Sequence, residues 1–532
     1  MDLRPLISRL LAAALGIAAL TLGFVTANPA HAAERTSQQS AERAARATET
    51  GRRVLEEDPG AVVVTRREQE GADWEVKFYE DQEVVALVVV EPFGSRVKEA
   101  WTGSQIDWSM ARGYEGAFGR TLNAPYVWLP LCVIFVLGLL DWRRLRRVAH
   151  LDLIALTAGL GLSHFFFNRG EIGLSVPLVY PALIWLLGRS LWLAFRGGDG
   201  LSPSLPAGLL GLTALFLIGV RVSLNLFDSN VIDVGYAGVI GADRITSGQA
   251  LYGAFPADNA SGDTYGPFAY LSYVPFELLF PWGGSWDDLP AAHAASVFFD
   301  LATFGALFLL GRRLRKGSAG TRLGAILAFG WAACPYTAYA LESNTNDSLV
   351  ALTLALVLLV IASPALRGAA LALSAATKLF SLALVPLFAN VDPPPGTRPG
   401  RWAGPVPYAI GFIGALGLLV AWPLVDPGPD TFIDRTFVNQ LDRTSPFSLW
   451  GQLDWLGPLQ LAAQALAIGL AVLVAFRPRR RDLLTVAALA SAVILAVQIT
   501  LDHWFYLYVP WFLVPLLVAL LARGRGARSP AT

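Results

Sequence analysis

From Pro125 onward, apolar runs of about twenty residues recur, each closed by a short polar stretch. That length crosses a hydrocarbon core of ~30 Å, so the pattern predicts an all-α polytopic membrane protein. About eleven membrane-crossing helices are expected: Pro125–Leu140, Leu151–Phe167, Ile172–Phe195, Ala207–Leu226, Ala291–Leu310, Leu323–Leu341, Ser348–Ala362, Val406–Val425, Leu456–Phe476, Leu483–Thr500 and Trp504–Leu521. Two apolar stretches do not fit a simple crossing. "YGPFAYLSYVPFELLFPW", from Tyr265 to Trp282, is aromatic and interrupted by proline, and predicts a helix lying at the membrane surface. "GAALALSAATKLFSLALVPLF" is too short for two spans and predicts a hairpin of two short helices with Lys378 at its tip.

The N-terminal part has another rhythm. Residues 1–32 predict a signal peptide: Arg4 and Arg9, an apolar core Leu10–Val25, and a small-residue cleavage site Ala30-His31-Ala32. Residues 33–122 are polar. A helix-forming stretch ends at Pro59-Gly60, and three Val-rich, strand-like runs follow, "AVVVTRRE", "DWEVKFYED" and "EVVALVVVEP". They predict a small α+β extracytoplasmic domain that resembles the PepSY type in pattern. The domain plan is then 1–32 signal peptide, 33–122 extracytoplasmic domain, 123–200 three accessory membrane helices, and 201–532 a membrane core.

Composition agrees with the membrane reading. The 532 residues are 54% hydrophobic and 15% charged, with mean hydropathy +0.49. Net charge is zero, so no nucleic-acid partner is implied. Cys132 and Cys334 lie inside apolar runs without metal spacing, and no H-x-x-H or H-E-x-x-H pair occurs. No metal site or cofactor is therefore expected, although a divalent metal remains open.

The charges are segregated. Arginine clusters "DWRRLRR", "RRLRK", "RPRRR" and "RGRGAR" belong on the cytoplasmic side by the positive-inside bias. The C-terminus is then cytoplasmic. The long acidic and aromatic loops share the opposite, extracytoplasmic face with the N-terminal domain. Four features carry candidate chemistry. The loop after Leu226 holds Asp228 and Asp233. Arg221, Asn225 and Asp228 follow helical spacing, which makes Asp228 the expected counter-ion of the intramembrane Arg221 and leaves Asp233 freer. Lys378, flanked by apolar residues, either snorkels or meets an anion such as a lipid phosphate. "SNTND", Ser343–Asp347, is either a tight turn or a source of Asn344, Asn346 and Asp347 for a groove. Asp502-His503 precedes "WFYLYVPW", and His503 is either a belt residue or a donor to phosphate or sugar.

The order of these features, an acid-bearing loop, "YGPFAYLSYVPF", "GRRLRK", the lysine hairpin and "RTSPFSLWG", resembles the GT-C superfamily of integral-membrane glycosyltransferases. The chain from about Ala207 to Leu521 is most similar to glycosyltransferase family 87, the polyprenol-phosphate-mannose-dependent α-mannosyltransferase type. That resemblance implies a polyprenyl-phosphate sugar donor and a glycan, lipid or protein acceptor. It matches Asp233 with Tyr236 to the family's acid-and-tyrosine setting, Gly248 with Tyr252 to the next element, Tyr265-Gly266-Pro267 to its Tyr-Pro-Pro, and Lys378 to the hairpin lysine.

Given such a donor, the leaving group is a phosphate that needs cations: Lys378 first, then Arg221 and His503. The acceptor hydroxyl needs a base, for which Asp233 is favoured and Asp228 stays open. One carboxylate and in-line displacement imply inversion. Tyr236, Tyr252 and Tyr265 would shape the substrate groove. Two competing readings remain: a lipid-linked-sugar flippase or transporter, favoured by the mid-span Asp300, and a membrane assembly or sensor protein.

Overall fold

The computed structural model describes residues 35–67, 72–113, 120–392, 404–439 and 445–523. The expected signal peptide and the last arginine cluster beyond Arg523 lie outside them. The chain divides into two compact units, the first ending at Asp107 and the second beginning at Trp108.

In the first unit, helices α1 (Gln38–Arg46) and α2 (Glu49–Glu57) precede an antiparallel meander of β1 (Val62–Arg66), β2 (Trp74–Glu80), β3 (Glu83–Val90) and β4 (Val97–Thr102). The predicted single helix is two. Thr48 takes an extended conformation and caps α2 by accepting from the Gly51 N–H at 2.9 Å. The fourth strand, Val97–Thr102, adds to the three expected. Trp74, Val76 and Phe78 alternate inward on β2, as do Ala86, Val88 and Val90 on β3. This period of two aims one face at Ala41, Ala45 and Val54 of the helices.

The second unit is helical. Its main elements are α3 (Pro125–Leu139), α4 (Ala149–Asn168), α5 (Ile172–Phe195), α6 (Ala207–Asp228), α7 (Asp233–Thr246), α8 (Pro290–Leu314), α9 (Gly317–Ala332), α10 (Pro335–Glu342), α11 (Asp347–Leu359), α12 (Pro364–Ala375), α13 (Leu379–Ala389), α14 (Pro405–Val425), α15 (Gly457–Leu473), α16 (Leu483–Ile499) and α17 (Tyr506–Leu521). Proline opens α3, α8, α10, α12 and α14, where its missing N–H is not needed.

Among the described residues, five helices are long and apolar enough to cross a membrane: α4, α5, α6, α8 and α14. The pair α9 and α10, bent by 58° at the break before Pro335, makes a sixth if counted as one span. This corrects the expected eleven. Helices α3, α11, α15, α16 and α17 are only 10–17 residues long. At 1.5 Å per residue, even 17 residues reach about 26 Å, short of a ~30 Å core. Apolar runs overstate spans when residues unwind into turns at the ends of a run. The expected surface helix at Tyr265–Trp282 is likewise two short turns, Pro267–Leu271 and Val274–Glu277.

Two buried ion pairs join helices inside this unit. Arg221 of α6 donates to Asp300 Oδ1 of α8 at 2.6 Å, and Arg189 of α5 donates to Asp152 Oδ2 of α4 at 3.0 Å. The Arg221–Asp228 pair expected from helical spacing is not formed. Asp300 takes that place, and Asp228 accepts from the Thr121 N–H at 3.3 Å. Asn225, on the Arg221 face, donates to Leu341 O and Asn344 Oδ1 at 2.8 Å each.

Candidate active site

The loop Ser229–Ile232 leaves α6 and packs on the turn Glu342–Asn346. Asn230 N–H donates to Glu342 O and Ile232 N–H to Ser343 O, both at 3.3 Å, while Asn344 Nδ2 reaches Asn230 O at 3.0 Å. Helix α7 then starts at Asp233, whose preceding residue is extended. A carboxylate in a first helical turn is favoured by the helix dipole. Gly235 lets this turn approach closely, because a Cβ there would lie 2.2 Å from Asn344 O. Asn259 Nδ2 donates to Asp233 O at 3.0 Å and holds the turn from another side. Asp233 itself stays exposed at the mouth of a cavity of about 410 Å³.

Lys378 lies in the same cavity, extended between α12 and α13. Its Nζ is 2.6 Å from Asp347 Oδ1, with the two side chains 10% and 1% exposed. Trp511 Nε1 donates to the same oxygen at 2.8 Å. The ammonium also stands over the rings of Trp511, Tyr265 and Tyr508 at 4.8, 5.4 and 5.5 Å. Trp511 is fixed between Phe380 and Tyr508, with ring centroids 4.4 and 4.2 Å away. Gly266 brings the Tyr265 loop against this corner. A Cβ on it would lie 2.2 Å from Ala376 O, and Phe268 N–H donates to that carbonyl at 2.9 Å.

The loop after α16 adds Asp502 and His503. Asp502 accepts from Gln460 Nε2 at 2.8 Å, and His503 Nδ1 is 2.8 Å from Ser445 Oγ. The cavity therefore gathers Asp233, Tyr265, Asp347, Lys378 and His503 from the sequence-derived set. It also contains groups the sequence left as an aromatic belt, Tyr508 and Trp511, together with Phe380 and Asp502. The signal for Trp511 was its place three residues after Tyr508, but nothing in the sequence paired it with Asp347.

The remaining candidates lie outside the cavity lining. Arg221 is buried, committed to Asp300, Thr337 Oγ1 and the carbonyls of Trp331 and Ala332. Asp228 is at the end of α6. Tyr236 is buried and donates to Asp258 Oδ2 at 3.1 Å. Burial, and then the Asp258 carboxylate, push its phenol up to about 12, so it remains a donor at neutral pH. Tyr252 donates to Tyr265 O at 2.9 Å and supports the Tyr265 loop from behind. Asn344 ties Ser229–Asn230 to the turn, and the buried Asn346 precedes α11. These residues position the cavity wall rather than face it. The Arg435–Asp263 pair, with Asp263 Oδ2 accepting from the Gly253 N–H at 2.6 Å, adds the 429–438 segment to the same scaffold.

Arg244 donates to the carbonyls of Ala250 and Ala254 at 2.6 and 3.0 Å. Among the described residues, no group of three His, Cys, Asp or Glu side chains is arranged to hold a metal ion. No protein-family model matches this chain, and no curated protein matches it.

Proposed function

We propose that this chain is an integral-membrane glycosyltransferase of the GT-C type, closest in pattern to glycosyltransferase family 87. It moves a monosaccharide, mannose or similar, from a polyprenyl phosphate to an acceptor glycan, lipid or protein on the extracytoplasmic side. One observation carries the reading. Asp233 and Lys378, remote in sequence, line one cavity of about 410 Å³ beside apolar and aromatic walls. That set suits a substrate with an anionic phosphate, a sugar and an apolar tail.

In this reading the ammonium of Lys378 receives the phosphate leaving group, and His503 adds a second donor. Asp233 accepts the proton of the acceptor hydroxyl as it attacks C1 of the sugar. Attack from one face and departure of phosphate from the other gives inversion, with no covalent glycosyl-enzyme. Tyr265 and Tyr508 offer ring faces to the sugar. The transporter alternative leaned on Asp300, which is held by Arg221 and Trp331.

The test is transfer in membranes containing the full chain, with a panel of radiolabelled polyprenyl-phosphate sugars. Label should pass to an endogenous acceptor from one donor, and Asp233→Asn should stop it. Absence of transfer from every donor sinks the proposal.

A further inference from the structure

His503 is held by more than its hydrogen bond to Ser445. Its ring lies against Trp108 at 5.8 Å and Phe447 at 5.5 Å, and Trp108 meets Phe447 edge-on at 5.6 Å. Trp108 is the first residue of the second unit, and the short helix Ser109–Arg112 follows it. The next residues seat this segment firmly. Ala111 is fully buried in the main apolar core. Gly113 adopts a positive φ of 81°, and a Cβ on it would lie 2.8 Å from both Asn168 O and Gly170 N. Between Trp108 and Ala111, Met110 faces the cavity that holds Asp233 and Lys378. The first residues after the N-terminal unit thus enter the candidate site. None of them carries a chemical signature in the sequence.

We propose that Trp108 and Met110 are positioning residues of this cavity: Trp108 fixes the His503 ring, and Met110 supplies a wall against the apolar part of the ligand. The inference rests on the cavity binding an isoprenoid phosphate, as the proposed function requires, but it does not depend on sugar transfer. Trp108 acts through a ring pair, whose typical contribution is modest. Met110 acts through shape, since a thioether side chain adapts to an irregular tail and a rigid indole in its place would fill the space.

The full-length protein in detergent is titrated with farnesyl phosphate by calorimetry, with melting temperatures recorded for each variant. Trp108→Ala should weaken binding about threefold to tenfold, the range one aromatic pair carries. Trp108→Phe should restore it, which loss of bulk stability alone would not explain. Met110→Trp should weaken binding about tenfold or more, beyond what any accompanying shift in melting temperature accounts for. If Trp108→Ala does not fold, Trp108→Phe and Met110→Trp carry the test. Wild-type affinity in Met110→Trp, or failure of the wild-type protein to bind farnesyl phosphate, overturns the proposal. Farnesyl phosphate binding that depends on Met110 and Trp108, without any sugar transfer, would reject the proposed function and keep this inference. Transfer with unaltered binding in both variants would do the reverse.

Discussion

Lys378 Nζ stands 2.6 Å from Asp347 Oδ1, and that same oxygen accepts the indole N–H of Trp511 at 2.8 Å. The ammonium is thus held at a cavity wall by a nearly buried carboxylate that is itself oriented from α17. A lysine left to itself there would spread over many rotamers. The pair fixes one position for the charge at the expense of desolvating it.

Removing the lysine should therefore separate stability from ligand binding. Lys378→Met leaves Asp347 unpaired and should destabilise the protein by about 3–5 kcal/mol. The double variant Lys378→Met/Asp347→Leu should recover much of that loss in a thermal melt. Neither should bind a lipid phosphate well, with affinity down about 10–100-fold, the usual worth of a charged hydrogen bond. Wild-type affinity in the double variant would reduce Lys378 to a structural residue.

Asp233 is exposed, so its amide variant should fold normally. Asp233→Asn should lower the transfer rate by about 10²–10⁴-fold with an unchanged melting temperature. Asp228→Asn should leave the rate within a factor of about two, because Asp228 is not among the described residues that line the cavity. Kinetics of the two variants side by side would decide between the candidate bases.

The Arg221–Asp300 pair has both side chains almost fully buried, at 2% and 0% exposure. Arg221→Leu alone should cost about 3–5 kcal/mol by stranding a carboxylate in the bundle, whereas Arg221→Leu/Asp300→Leu should cost less than either single change. A double variant that is worse than both singles in a denaturation cycle would contradict this account.

Gly266 allows the Tyr265 loop to touch the end of α12. In Gly266→Ala the new Cβ would meet backbone, Ala376 O at 2.2 Å, so the loop must move. A loss of about 1–3 kcal/mol in stability is expected. Because Lys378 follows Ala376 by two residues, weaker farnesyl phosphate binding should accompany it in the same preparation. Normal binding would uncouple the loop from the lysine.

The apolar runs, read alone, determined that this is a helical membrane protein, and the Val-rich strand-like runs determined the small α+β unit before it. The cost of a charge beside apolar runs singled out Lys378, helical spacing set Asp233 apart from Asp228, His503 stood out before an aromatic run, and Tyr265 entered through the family resemblance. The same runs misjudged the spans: run length does not reveal where a helix unwinds, and several helices stop at 10–17 residues. Helical spacing placed Asp228 beside Arg221, but a buried guanidinium takes whichever carboxylate packing brings to it, and that is Asp300 of another helix. The Asp347–Trp511 contact, across 164 residues of sequence, and the entry of Trp108 and Met110 join segments remote in the chain. Such proximity is set by helix packing and leaves no local periodicity, so only the tertiary structure decided it.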